Sequence, residues 1–340
     1  MFIPKRIIFE KNALEYETGL NIYNFFKDKD NVEIIRMSGN RIKSHIPGDN
    51  LRDFYSQGKN TIVVGVKKSG RFQSCKPSAH WQLPLISGCA GQCEYCYLNT
   101  NLGDKPYIKI NVNIEDILGE AQNYIDNASP SITMFEGSAT SDPIPMEPYT
   151  GSLKRAIEFF AESSLGRFRF VTKYNDVDTL LNIDHNNHTD IRFTLNTAYV
   201  INNYEHKTAS VEQRLKAAAK ISEAGYGLGF IIAPIFIYDN WKEDYHKLLI
   251  DLRETLSFHH GSPITFEVIS HRYTMRAKNI ITEVFPNTSL PMKEEDRQFK
   301  YGQFGYGKYV YPKDIITDIK AFFTSELDNI FEDKIIKYII

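Results

Sequence analysis

The chain has 340 residues, 42% hydrophobic and 24% charged, with a formal net charge of −2. That length allows one large domain or two small ones around a sizeable core, and the near-neutral charge excludes a polybasic protein, so any nucleic-acid contact must rest on a local patch. The N-terminus has no signal-peptide core, and the longest uncharged apolar stretch, YGLGFIIAPIFIY (226 to 238), is shorter than the roughly 20 residues of a membrane helix, so a soluble cytoplasmic protein is expected.

In chain order, the first 80 residues read as a small β/α layer with TIVVGVKK (61 to 68) as a strand. From residue 81 to 275, β-type runs alternate with amphipathic helical stretches. The expected strands are QLPLIS (82 to 87), ITMFEG (132 to 137), FRFVTK (168 to 173), RFTLNT (192 to 197), LGFIIAP (228 to 234) and TFEVIS (265 to 270). Helices are expected over 112–127, 152–162, 176–183, 210–225 and 241–258. Such alternation predicts parallel β/α units, as an open doubly wound sheet or a partial barrel, with functional residues at the carboxyl ends of the strands. Residues 276–340 leave this pattern: a glycine- and aromatic-rich stretch, read as a β-hairpin, precedes a terminal helix over 313–333.

Three of the four cysteines fall within SGCAGQCEYCYLNTN (87 to 101), as Cys89-x3-Cys93-x2-Cys96, just after the strand at 82–87. Without a secretion signal they read as metal ligands or reactive thiols rather than disulfides. Zinc would need a fourth ligand, which Cys75 could supply, giving a zinc-stabilised DNA-binding protein. A 4Fe-4S cluster on three thiolates would instead leave one iron open to a substrate or cofactor. His185 and His188 (in DHNNH), like His259–His260, have metal-ligand spacing, but Asn/Asp-rich surroundings read as surface loops and no metal role is assigned.

C-x3-C-x2-C at the head of a β/α series resembles the radical S-adenosylmethionine (SAM) superfamily. More narrowly, C-x3-C-x-Y-C-Y-L-x-T, KPSAHWQLPLISGC (76 to 89), LGDKPYIKI (102 to 110), RFVTKY (169 to 174), LGFIIAPI (228 to 235), FEVISHRYT (266 to 274) and GKYVYP (307 to 312) resemble the spore photoproduct lyase family across nearly the whole chain. The resemblance implies a partial (β/α)6 barrel with an N-terminal β/α extension (1–80), a barrel (81–275) and a C-terminal hairpin and helix (276–340). It implies a lyase that reverts 5-thyminyl-5,6-dihydrothymine in DNA to two thymines. A 5′-deoxyadenosyl radical would take the hydrogen on C6, the methylene bridge would break, and a hydrogen atom would be returned.

The same resemblance implies Cys89, Cys93 and Cys96 as ligands of a 4Fe-4S cluster, and SAM held by Ser141, Lys173, Thr194, Asn196 and the Ala233 backbone. From the residues alone, Lys173 reads as a solvated strand-end cation, and Thr194 and Ala233 as core. The implied partners are lesion-bearing DNA and a ferredoxin or flavodoxin as electron donor, in a bacterial spore core; a monomer is expected. Arg272, Lys308 and Tyr309 lie in the basic, aromatic segments HRYTMRAK (271 to 278) and QFKYGQFGYGKYVYPK (298 to 313), which would contact the DNA.

Departures from the implied pattern are as telling. In FEGSATSDP (135 to 143), Ala139 stands where the family usually has the hydrogen-donating cysteine. Gln303 and Phe304 replace the more usual Arg and Tyr. Either Cys75 has taken the donor's place, with Tyr95 or Tyr97 as relay, or the substrate or outcome has changed. A small buried core thiol is the other reading of Cys75.

Overall fold

The computed structural model describes every residue except 40, 69, 99–101, 257–260 and 302–306. The hairpin tip with Gln303 and Phe304, and the pair His259–His260, thus lie outside the described residues. The chain divides into two compact units, 1–90 with 102–191, and 91–101 with 192–340.

In the first unit a five-stranded sheet runs in the order Glu33–Arg36, Arg6–Phe9, Thr61–Gly65, Ile108–Asn111, Ile86–Ser87. The first four strands are parallel and the last antiparallel. Ile7, Ile8, Ile62, Val63 and Val64 are fully buried, which is why RIIF and TIVVG read as continuous apolar runs rather than alternating ones. The expected strand 61–68 stops at Gly65, where a Cβ would lie 2.1 Å from the Glu10 carboxylate.

A second set of parallel strands in this unit comprises Trp81–Gln82, Thr133–Glu136 and Gly166–Thr172. Helices Ile114–Ala128 and Ser152–Glu162 cover it, and Phe160 stacks on Phe168 with centroids 5.3 Å apart. The strand expected over 82–87 is divided. Leu83 N–H donates to Glu136 O, whereas Ile86–Ser87 pairs with Ile108–Asn111. Pro84, which has no N–H to give to a ladder, marks the change of sheet, and its carbonyl accepts from the Asn111 amide at 2.7 Å.

The helix expected over 176–183 reduces to one 3-10 turn, Asp178–Leu180. The backbone closes i→i+3 bonds there instead, Leu180 N–H to Val177 O at 2.9 Å and Ile183 N–H to Leu180 O at 3.4 Å, so no α-helical ladder builds. His185, expected on a surface loop, is buried, its Nδ1 accepting the Asn187 N–H at 3.1 Å; His188 Nδ1 meets Phe160 O at 2.8 Å. Strand Thr189–Leu195 continues the chain from the first unit into the second.

In the second unit, Gly227–Ile235, Ile264–Ser270 and Lys334–Ile339 are parallel neighbours. Helix Val211–Glu223 starts at a capping box in which Ser210 and Gln213 satisfy each other's backbone N–H groups. Thr274 caps Met275–Val284 through the Ala277 N–H at 3.1 Å. The terminal helix ends at Ile330 rather than 333, and KIIKYI forms a strand that helical reading passed over. The α/β class and the parallel pairing are as expected from the sequence.

Candidate functional site

In the first unit, Cys89 follows a glycine that no other residue replaces cheaply. Gly88 has φ +81°, and a Cβ there would sit 2.4 Å from Tyr107 O. Its N–H donates to Thr140 O at 2.8 Å, and it forms a parallel bridge with Ser141. The Cys89 carbonyl accepts from the ammonium of Lys59, a fully buried side chain, at 3.0 Å. Gly88→Ala is expected to cost about 1–3 kcal/mol through the left-handed φ alone, read in a denaturant melt, with lower iron uptake on reconstitution.

Ser141 is buried, and its hydroxyl donates to Gly137 O at 3.4 Å. The next residue, Asp142, organises the end of strand Gly166–Thr172: it accepts from the Thr172 hydroxyl and from the Lys173 backbone N–H, both at 2.8 Å. Burial raises the Asp142 pKa to about 6, against the pull of those hydrogen bonds. Lys173 is thereby fixed at its backbone, at the carboxyl end of its strand.

Glu136 ties together the segments that carry Cys75 and Ala139. Its buried carboxylate accepts from the Ser138 N–H at 3.2 Å and hydroxyl at 2.6 Å, and from the Ser78 hydroxyl at 3.2 Å. Arg169 pairs with it at 3.4 Å and also donates to Ser78 Oγ at 2.9 Å. Ser78 belongs to the turn closed by the Ala79 N–H on Cys75 O at 3.0 Å. The segments carrying Cys75 and Ala139 are therefore tied through one carboxylate.

In the second unit, Gln92–Cys93 pairs antiparallel with Glu205–His206, which leaves Cys93 buried. Both residues between Cys93 and Cys96 are held by their side chains. The Glu94 carboxylate meets His206 Nε2 at 2.8 Å and accepts the Thr288 hydroxyl. The Tyr95 hydroxyl donates to Glu205, and Glu205 pairs with Arg214 at 2.6 Å, both of these side chains fully buried. Burial, then the Glu205 charge, pushes the Tyr95 pKa well up.

Arg214 extends the network to Thr194 O and Ala209 O, each at 3.0 Å. Arg214→Met should destabilise the chain by about 3–5 kcal/mol, because it strands a buried carboxylate, and urea unfolding will measure it. Cys96 closes a turn through its N–H to Cys93 O at 3.1 Å, and Tyr97 is 56% exposed. The two tyrosines named as relays thus differ: one phenol is committed to a carboxylate, the other ring stands in solvent.

Thr194 and Asn196 are buried. The Asn196 amide donates to Pro234 O at 2.9 Å, and its carbonyl accepts the Tyr245 hydroxyl at 2.6 Å and the Thr197 N–H at 3.0 Å. Ala233, in strand Gly227–Ile235, is half-buried. The expected hairpin is present as Gln298–Tyr301 antiparallel to Gly307–Val310, with Lys300 opposite Lys308 and Phe299 opposite Tyr309. Burial, then Arg272 and Lys300, lowers the Lys308 pKa. None of these three cations has an ion-pair partner among the described residues. Like charges gathered without carboxylates favour an anion.

Sequence reasoning missed Lys59, Glu136, Asp142, Glu205 and Arg214. Each is a charged residue whose partner lies far along the chain or on a backbone atom, so no local pattern announces it.

None of the four cysteines is in a disulfide. As the side chains stand, no three His, Cys, Asp or Glu among the described residues gather into a metal site. The donor set nonetheless fits an iron–sulfur cluster: three thiols within eight positions of one loop, next to a left-handed glycine. No described helix is long and apolar enough to cross a membrane.

Parallel β/α units with a three-thiol loop define an α/β protein of the radical-SAM fold type. The family model for spore photoproduct lyase matches residues 2–340, and the chain belongs to that family. It is 53% identical over 336 residues to a spore photoproduct lyase of Clostridium acetobutylicum, covering 99% of this chain and 98% of that one. A Bacillus subtilis spore photoproduct lyase is 42% identical over 337 residues, with 99% and 98% covered. Among solved structures, a spore photoproduct lyase double mutant (cysteine to alanine, serine to cysteine) with bound AdoMet and dinucleoside spore photoproduct superposes with TM-score 0.95. Its identity is 42%, covering 100% of this chain and 99% of that one. A second, complexed with dinucleoside spore photoproduct, gives 0.94 at 41% identity, covering 100% and 99%.

Proposed function

We propose that this chain is a radical SAM lyase that returns the spore photoproduct in DNA to two thymines, with Cys75 as hydrogen-atom donor. The observation that carries the donor assignment is the Glu136 knot, which ties the Cys75 turn through Ser78 to Ser138, the neighbour of Ala139. The solved structure of a double mutant, cysteine to alanine and serine to cysteine, contains both AdoMet and dinucleoside spore photoproduct, so such a pair of changes is compatible with binding both.

Cys89, Cys93 and Cys96 would hold the 4Fe-4S cluster, and Ser141, Lys173, Thr194 and Ala233 would line the SAM site. When bound, cluster and SAM together supply the 5′-deoxyadenosyl radical that takes hydrogen from C6 of the dihydrothymine half. The residues of the chain then have two tasks. Lys173, fixed by Asp142 through its N–H, can present its ammonium to the SAM carboxylate, and Asn196 holds the neighbouring strand end in place through Pro234.

Cys75 completes the chemistry after the bridge breaks: its S–H bond breaks and a C–H bond forms on the thymine allyl-type radical. An alanine C–H is too strong to serve. Tyr97, whose ring is exposed, is the better relay to restore the thiol; Tyr95 is bound to Glu205. Arg272, Lys308 and Tyr309 would meet the DNA, and extrusion of the lesion costs less than that of an intact base. The electron would come from a ferredoxin or flavodoxin.

The test is an anaerobic assay of reconstituted protein with reductant, SAM and a dinucleotide carrying the lesion. Two intact thymines are expected. SAM cleavage without thymine would overturn the substrate or the donor, and no SAM cleavage by cluster-loaded protein would overturn the reading altogether.

A further inference from the structure

Arg297 is a buried guanidinium, 8% exposed, immediately before strand Gln298–Tyr301 of the hairpin. Among the described residues it has no carboxylate partner. Instead one nitrogen donates to His271 O at 2.9 Å, and the other donates to Pro291 O at 2.8 Å and meets His271 Nδ1 at 3.2 Å. Its central carbon lies 3.7 Å from the centre of the Tyr311 ring.

An unpaired buried charge is costly, so a chain that keeps one keeps it for what its fork holds in place. Here the fork joins three things. His271 follows strand Ile264–Ser270, Pro291 lies in the loop leading to the hairpin, and Tyr311 follows the hairpin's second strand, Gly307–Val310. That second strand is itself tied to the same strand end: Tyr273 and Tyr309 exchange backbone hydrogen bonds at 3.1 and 2.8 Å, and their rings stack at 5.2 Å.

We infer that Arg297 is a positioning residue that mounts the hairpin on the carboxyl end of strand Ile264–Ser270. It holds Lys300 and Lys308 where they meet the phosphates of a DNA duplex, and it plays no part in the chemistry on the lesion. This rests on the repair function proposed above. The lesion alone, as a dinucleoside, needs no hairpin contact to the flanking backbone, whereas the lesion in a duplex does.

The experiment compares Arg297→Met and Arg297→Lys with the unaltered protein, all cluster-loaded, on a duplex carrying one spore photoproduct and on the dinucleoside. For Arg297→Met, the duplex Kd should rise about tenfold and its dependence on salt should flatten by about two counterions, while dinucleoside turnover stays within about twofold. Arg297→Lys keeps the charge but cannot hold both carbonyls, and should show the same split at smaller amplitude; it decides the matter if the methionine variant does not fold. Equal loss on both substrates, or no loss on either, overturns the assignment. Failure of the unaltered protein on both substrates would instead overturn the function itself.

Discussion

Cys75→Ala is expected to lower the yield of intact thymine at least about tenfold, equivalent to about 1.4 kcal/mol in the quenching barrier, while SAM cleavage continues. The separation of the two readouts is the point. Cys75 is half-buried and lies outside the cluster loop, so its removal leaves the three thiols at 89, 93 and 96 untouched. Hydrogen abstraction at C6 then proceeds, the bridge breaks, and the thymine radical meets no S–H bond. It is quenched by solvent or reductant instead, and chromatography should show adducts in place of thymine. Adding Ala139→Cys to the Cys75→Ala background should restore clean product, because Glu136 ties both segments through Ser78 and Ser138. If Cys75→Ala gives the same yield and product purity as the unaltered chain, the donor lies elsewhere and Cys75 is a core thiol.

What was legible in the sequence was local. Three thiols within eight positions and alternating strand and helix patterns need no partner elsewhere to be seen, and strands such as Gly166–Thr172 and Gly227–Ile235 formed within two residues of expectation. The hairpin was visible because turn glycines lie between runs of aromatic residues, which favour strands. The failures have physical reasons too. QLPLIS looked like one strand because period and length match, yet Pro84 cannot donate and the segment divides between two sheets. KIIKYI, beyond the helix expected over 313–333, drew no strand expectation, because its lysines interrupt the apolar run; only pairing with Ile264–Ser270 makes it a strand.

The support of the candidate site was the least legible part. Tyr95 and Glu205 are separated by 110 positions, and nothing in EHKTAS (205 to 210) distinguishes Glu205 from a surface carboxylate until Arg214 is folded onto it. Lys59 ends an amphipathic helix, a place where lysine is ordinarily solvated, yet it is buried with its ammonium on the Cys89 carbonyl. Charged residues become readable as site supports only when tertiary contacts remove them from water. Residue type and spacing therefore brought out the candidate ligands but not what holds them.

The second large effect concerns Cys93. Cys93→Ala is expected to abolish both SAM cleavage and thymine formation and to lower bound iron and sulfide, in contrast to the selective loss at Cys75. Cys93 is the buried member of the three, and its backbone is locked by pairing with Glu205 while its neighbours Glu94 and Tyr95 are held by their side chains. The loop cannot shift to bring another donor into the vacated position. A two-thiol set lacks the ligation that a cubane with one open iron requires. The alanine itself costs the fold little, since the cited hydrogen bonds of the loop are made by the backbone of residues 93 and 96 and by the side chains of Glu94 and Tyr95, and survive the change. Denaturant melts of the metal-depleted proteins should therefore nearly coincide, and the loss should appear only in iron and sulfide content, in the visible absorbance and in activity. Retention of a full complement of iron with SAM cleavage in Cys93→Ala would remove this cysteine from the ligand set. It would return Cys75 to consideration as a metal ligand in place of a hydrogen donor.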